Sequence, residues 1–250
     1  AVSFIPTLTF DLHLHSCLSP CGSEDNTPAN LAGMCALAGI EAAALTDHNT
    51  VGNCAAFCEA AARYGVIALP GMELTTAEEV HVVCVFGELD AARAFEAEVF
   101  RRLPPLDNDP RVFGPQVKMD SGDAVLGEER RMLSAASGIG IYEVPGLVAG
   151  LGGACWPAHI DRPSFSLISN LGLWDPELGF SFAEVSRACP PGFLDRPDLK
   201  GLPVITASDA HYLDQIMDAC QQVALPEKNP AALLSWLKRP DFNVFRPLSP

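Results

Sequence analysis

The chain has 250 residues, 48% of them hydrophobic, enough for a large core in either one α/β barrel or two small domains. Its formal charge of −15, from 16 basic and 31 acidic side chains, repels polyphosphate at long range and disfavours sequence-independent nucleic-acid binding. A pocket holding divalent cations would reverse that field locally, so a small anionic substrate remains compatible.

In chain order, Leu8–His13 is predicted as a strand and Pro28–Ala38 as a helix, with Thr27 as N-cap and Pro28 in its first turn. Gly39 ends that helix and Ala42–Thr46 supplies the next strand. Asn53–Tyr64 reads as a helix stopped by Gly65, Val66–Leu69 as a third strand, Val80–Phe86 as a fourth and Ala91–Leu103 as a helix. This βα rhythm argues for a parallel sheet or barrel. It fails between Pro104 and Leu133, where a Pro/Asp-rich stretch precedes QVKMDSGDAVLG, a predicted hairpin turning at Asp120–Asp123. That segment reads either as an insertion crossing the mouth of the domain or as a surface excursion with no role. The rhythm resumes with a helix near Ile139–Leu151 and strands at Gly153–Ala158, Phe182–Val185 and Val204–Ala207. These make seven strand candidates, with one more short strand in CQQVALP and a closing helix at Pro230–Leu237. No break in composition divides the chain, which reads as one domain over residues 1–250.

No run of about 18 apolar residues occurs and the first residues carry no basic stretch, so neither a membrane span nor a signal peptide is expected. Nine cysteines without a CxxC pair fit reduced thiols in a cytoplasm better than a disulfide framework.

Chemistry concentrates at strand ends. His13 and His15 are two apart on a strand, so both imidazoles project from one face and can reach one ion, with Asp11 as a neighbour able to orient a ligand. LTDHN offers Asp47 and His48, LPGMEL offers Glu73, PAHIDRP offers His159 and Asp161, and ITASDAHYL offers Asp209 and His211. His81 stands near the start of EVHVVCVF. All six histidines thus fall at or near strand termini in ligand-rich phrases, and in a barrel of parallel strands these ends meet on one face.

DLHLHS, LTDHN, GMEL, the His81 and His159 segments and SDAH, in that order, resemble the PHP (polymerase and histidinol phosphatase) superfamily over residues 10–212. The resemblance implies a distorted seven-stranded (β/α) TIM-like barrel, here with an insertion near residues 104–133, and two to three divalent ions (Zn, Fe or Mn) in a cleft at its mouth. Carried over position by position, it implies a first metal held by His13, His15, Glu73 and Asp209. Glu73 would bridge to a second metal completed by His81 and His159, and His48 and His211 would hold a third. Where the usual pattern supplies another ligand, this chain has HSCLSPCGSED, so Cys21 is the candidate third-site ligand and Asp25 the carboxylate alternative.

Arg162, three residues past His159, is the candidate phosphate-binding residue, unless it merely pairs with Asp161 or another acid. Lys118 and Arg111 in the insertion are weaker candidates. The expected activity is hydrolysis of a small phosphate ester, such as a nucleotide or an oligonucleotide end, by metal-activated water without a protein nucleophile. The alternatives are a metallohydrolase of C–N or carboxylic ester bonds and a metal-binding regulatory protein without catalysis.

Overall fold

The computed structural model describes residues 5–216 and 218–248. Strands β1 (Thr7–Leu14), β2 (Ala42–Leu45) and β3 (Ile67–Thr75) run parallel, joined by helices α1 (Pro28–Leu37) and α2 (Cys54–Arg63). Thr27 caps α1 as expected: its hydroxyl oxygen accepts from the Asn30 N–H at 3.2 Å. Strand β4 (His81–Val85) follows, then α3 (Leu89–Arg102), α4 (Pro110–Phe113), β5 (Val117–Met119), β6 (Val125–Glu128), α5 (Val144–Gly150), β7 (Ala154–Pro157) and α6 (Leu167–Leu171). The chain continues through β8 (Ala183–Val185), β9 (Val204–Thr206), β10 (Gln221–Ala224), α7 (Pro230–Lys238) and β11 (Phe245–Pro247).

The fold is mixed α/β, with a seven-stranded sheet in the order β11-β10-β1-β2-β3-β4-β7, curled into a half-barrel. Strands β8 and β9 form a separate parallel pair in its open side. Backbone bonds just beyond the strands tie that pair in on both flanks: Ile160 N donates to Glu184 O at 2.8 Å and His15 N to Ala210 O at 3.1 Å.

The expected parallel arrangement holds only for part of this sheet. β4 is antiparallel to β3 and to β7, and β10 and β11 are antiparallel additions. The reason for the first reversal is length: residues 76–80 are too few for a parallel crossover, which needs about a dozen residues. β3 also runs past its predicted end at Leu69, straight through Pro70. Pro70 sits where the strand exchanges β2 for β4 as its partner, so its missing N–H forfeits no ladder bond. α5 begins later than predicted, with Pro145 in its first turn after a short 3-10 segment, and α7 is followed by β11 rather than closing the chain.

Two apolar clusters flank the sheet. The outer one packs Leu31, Phe57, Phe95 and Val148 of the helices on the strands, and the inner one gathers Phe10, Trp156, Phe182 and Ile205 with Leu233 and Trp236 of α7. Alternation along β1 changes at a register shift between Asp11 and Leu14. Leu8, Phe10 and Leu12 fill the inner cluster below it, whereas Leu14 joins the outer one above it. A bulge of this kind re-aims the residues that follow, here leaving His13 and His15 on the inner side, above the apolar floor.

The insertion is docked rather than loose. Val117 N donates to Cys17 O at 3.0 Å, Asn53 clasps the hairpin through Val117 O and Met119 N, and Asp123 accepts from Thr27 and Ala29 at the start of α1. It backs the loop that follows β1. No helix among the described residues is long and apolar enough to cross a membrane, and all nine cysteines are free thiols.

Gly71 lies opposite Val85 where β3 and β4 meet, and a Cβ there would stand 2.6 Å from the Cys84 carbonyl oxygen. Gly71→Ala is therefore expected to force the strands apart and cost about 1–3 kcal/mol in a urea titration. An unchanged midpoint would mean that the two strands separate freely at this point.

Candidate metal centre

The eight ligand candidates read from the sequence converge at one end of the curled sheet. β1 and its continuation bring His13 and His15, the turn after β2 brings His48, and β3 brings Glu73. Because β4 runs backwards, its first residue, His81, lies beside the last residues of β3, with Thr75 directly opposite. His159 follows β7, and Asp209 and His211 follow β9. His159 and Asp209 take left-handed backbone (φ +28° and +48°), an unfavourable conformation for residues with a Cβ that is held here by the surrounding packing.

Glu73 stands at the middle, buried. Its Oε1 lies 2.9 Å from His81 Nδ1, 3.0 Å from His159 Nε2 and 3.3 Å from His13 Nε2, and its Oε2 lies 3.0 Å from His48 Nδ1 and 3.3 Å from His15 Nε2. Asp209 Oδ1 is 3.0 Å from His15 Nε2 and 3.3 Å from His13 Nε2. Separations of about 3 Å are what atoms bound about 2.0–2.2 Å from a shared ion show. Among the described residues, three overlapping groups have donor atoms within 4.8 Å of one another: His13, His15, Glu73 and Asp209; His48, Glu73 and His81; and His15, His48 and His211. The first equals the set implied for the first metal. In the second, His48, on Glu73 Oε2, takes the place that the resemblance gave to His159, although His159 reaches Oε1 beside His81.

The proton positions make the case for cations. Ser19 Oγ donates to Asp47 Oδ1 at 2.7 Å, so it must accept from His15 Nδ1–H at 2.9 Å, which leaves His15 Nε2 a bare lone pair when the ring is neutral. His13 Nδ1 donates to Glu184 Oε1 at 2.8 Å, so its Nε2 is bare too. These two lone pairs face each other across 3.2 Å, an arrangement that is repulsive unless a proton or a metal ion stands between. Both oxygens of Asp209 and Nδ1 of His48 are buried without a properly directed hydrogen bond. A donor set of imidazoles and carboxylates with its hydrogen-bonding capacity unspent fits divalent zinc, iron or manganese. Without a cation, protons serve instead. Burial would lower the pKa of His13, but Glu184, Asp209 and Glu73 hold it well above the ordinary imidazole value. Burial takes His81 the other way, down to about 4.

Cys21, the thiol candidate, follows β1 near His48 and His211. It is exposed as a residue and stands outside the three donor groups; burial of its sulfur would raise its pKa, but the nearby imidazoles of His48 and His211 bring it down to about 5. Asp25, the alternative, is likewise exposed, and its N–H binds Ser23 Oγ and its carbonyl the side chain of Asn30.

Four side chains with supporting roles escaped the sequence reading or were assigned differently. Asp11 does not orient an imidazole; its carboxylate accepts from the N–H groups of His13 and Ser208, and burial raises its pKa to about 6. Glu184, on β8 and buried, orients His13 instead and accepts from Trp156 Nε1 at 3.1 Å. The available signal was a lone acid inside the apolar run FSFAEV. Asp47 is not among the converging donors; it fastens the loop after β1 through Ser16 N, Ser16 Oγ and Ser19 Oγ at 2.6–2.7 Å. Asp161 binds Ser186, leaving Arg162 to pair with Asp209, Nη1 to Oδ2 at 2.6 Å. Lys118 and Arg111 pair inside the insertion, with Glu129 and Asp109.

Beside the cluster opens a cavity of about 550 Å³ lined by Arg162, Arg187, Ser208, Asp209 and His211. Arg187, unremarked in the sequence, puts a second guanidinium on its wall.

The family model of the PHP domain matches residues 11–144, just over half of the chain. No curated protein matches the sequence. Among solved structures, a lesion-specific endonuclease from Pyrococcus furiosus superposes with a TM-score of 0.68 and 15% identity, covering 97% of this chain and 58% of its own. Endonuclease Q in complex with a 27-mer duplex carrying an abasic lesion at its active site gives 0.67 and 16%, over 94% and 57%. A protein described as a metal-dependent phosphoesterase from Bifidobacterium adolescentis gives 0.58 and 21%, over 83% and 89%. An amidohydrolase from Chromobacterium violaceum with bound sulfate gives 0.56 and 23%, over 84% and 90%. The chain spans just under three fifths of the endonucleases' length.

Glu184→Gln removes the charge that holds His13 in its tautomer while keeping the side chain's size. Loss of such an outer carboxylate is expected to weaken metal affinity about 10–100-fold, read by competition with a chromogenic chelator. Unchanged affinity would mean that His13 needs no orienting partner.

Proposed function

The chain belongs to the PHP domain family, a family of metal-dependent phosphoesterases, and from that footing we propose that residues 1–250 act as one catalytic unit, a distorted (β/α)7 barrel that hydrolyses phosphate esters. The substrate class we favour is a nucleotide or an oligonucleotide end. One observation carries this reading: a buried carboxylate, Glu73, ringed by five imidazoles, shares two of them with Asp209, which lines a cavity with two guanidinium groups on its wall.

His13, His15, Glu73 and Asp209 would hold one ion and Glu73, His81 and His159 a second, with His48 near both. Cys21 would join His48 and His211 at a third. When bound, such ions ionise water near neutral pH and offset charge on the phosphate. The chain's own residues do the rest. Arg162 is half-exposed, and its single contact with Asp209 leaves further N–H groups free to grip phosphate oxygens in parallel. Asp209 thereby aims the guanidinium at the metal side of the cavity. The serine hydroxyls nearby are committed elsewhere: Ser16 and Ser19 donate to Asp47, Ser186 donates to Asp161, and Ser208 on the cavity wall donates to the His13 carbonyl. With no hydroxyl partnered to a free base, water is the nucleophile this site is equipped to use.

The likeness to the endonucleases supports a second reading, in which the ester lies within a nucleic-acid strand. The formal charge of −15 weighs against a long backbone track and in favour of a short end or a free nucleotide.

The test is a metal-replete preparation assayed against 5′- and 3′-nucleotides, short oligonucleotides, histidinol phosphate and a chromogenic phosphodiester. Turnover of at least one is expected. Arg162→Ala should keep its metal and lose about 1.5–3 kcal/mol of transition-state binding, very roughly ten- to a hundredfold in kcat/KM. An unaffected variant would remove the phosphate-gripping role. No turnover on any substrate would hand the reading to C–N or carboxylic ester hydrolysis.

A further inference from the structure

The loop after β7 sends three side chains to three places. His159 turns to Glu73 and Arg162 to Asp209, while Phe165 lies on His81, ring centroids 4.9 Å apart and planes 22° from parallel. The Phe165 carbonyl accepts from His81 N at 3.0 Å, and Ser166 Oγ, which caps α6, donates to Arg162 O at 2.7 Å, so the loop is fixed on both sides of the ring.

Two features of Phe165 are unfavourable for folding alone. Its backbone is left-handed (φ +52°), where a bulky side chain is a rare outlier and glycine or asparagine would be unstrained. Its side chain gains little burial in return, because the residue is 44% exposed. One face of the ring rests on an imidazole of the metal centre and the ring still meets solvent. A rigid aromatic face fixed at the rim of a site is suited to stacking a second planar ring.

We propose that Phe165 is a stacking platform for an aromatic base, so that the substrate carries a planar ring close to its scissile phosphate. This inference rests on the phosphoesterase reading and narrows it to nucleotides over sugar or polyol phosphates. Phe165 is then a specificity-determining residue: it adds affinity for the planar part of the substrate, while Arg162 and the metal ligands serve the phosphate that all the esters share.

The test compares the metal-replete parent with Phe165→Ala, Phe165→Leu and Phe165→Trp on adenosine and thymidine monophosphates and on glycerol 2-phosphate. Removing one base–aromatic stack is expected to raise KM for the nucleotides roughly tenfold in the Ala and Leu variants. Glycerol phosphate kinetics should move less than twofold, metal content should stay unchanged, and Phe165→Trp should restore nucleotide binding. The same Trp variant gives a readout free of catalysis. Its added fluorescence, taken as the difference from the parent, should be quenched by adenosine monophosphate and not by inorganic phosphate. Equal losses on nucleotide and glycerol phosphate, or lost metal, would show that Phe165 only props His81 and would overturn the proposal. Absence of quenching would overturn it as well. If no ester were turned over but the base still quenched the tryptophan, the platform would stand and the phosphoesterase reading would fall.

Discussion

A carboxylate buried among five imidazoles is the constraint around which this molecule is arranged. Glu73 and Asp209 are almost fully withdrawn from water, and so are His13, His15 and His159. Removing so many polar groups from solvent is unfavourable unless each finds a partner, and here several donor atoms have none of the usual kind. Cations would supply that missing partner. Several distortions of the fold then follow from one requirement, namely that donors from six chain segments meet in one small volume. The bulge in β1 turns His13 and His15 inward. The reversal of β4 delivers His81 from the start of a strand, and the left-handed residues His159 and Asp209 hook side chains back over the strand ends.

Around this centre lies a layer that fixes proton positions. Glu184 holds the Nδ1 proton of His13, Ser19 holds that of His15, and the Asp209 carbonyl accepts from Nδ1 of His211 at 2.8 Å. Each bond leaves the opposite nitrogen bare and pointing inward, which is the tautomer a ligand needs. Asp47 anchors the Ser19 end of this layer and Trp156 the Glu184 end, so the chemistry is tied to both the β1 loop and the apolar interior.

Much of this was legible in the sequence, and the limits have physical causes. The ligands could be found because imidazoles and carboxylates at strand ends have a recognisable spacing, and HLH and DAH keep two donors on one face. The helix start at Thr27 and the hairpin at Asp120–Asp123 were legible because capping and turning are local chemistry. Strand direction was not extracted from the βα rhythm, although the short link between Thr75 and His81 encoded it through its length. The extension of β3 through Pro70 was hidden because a proline normally ends a strand, and only the change of pairing partner makes it harmless. Glu184, Arg187 and Phe165 were missed since their meaning depends on contacts between segments distant in sequence: Glu184 and His13 are 171 residues apart.

On the proposed reading the cluster would hold at least two divalent ions, with Glu73 able to serve both. The direct measurement is elemental analysis of chelator-stripped protein reloaded with zinc, iron or manganese and desalted, beside Glu73→Gln treated identically. Two or more ions per chain are expected in the parent. The variant, which keeps the shape and loses the shared charge, is expected to show a clear loss of metal. A parent that retains one ion or none, or a variant that retains the full complement, would contradict that reading.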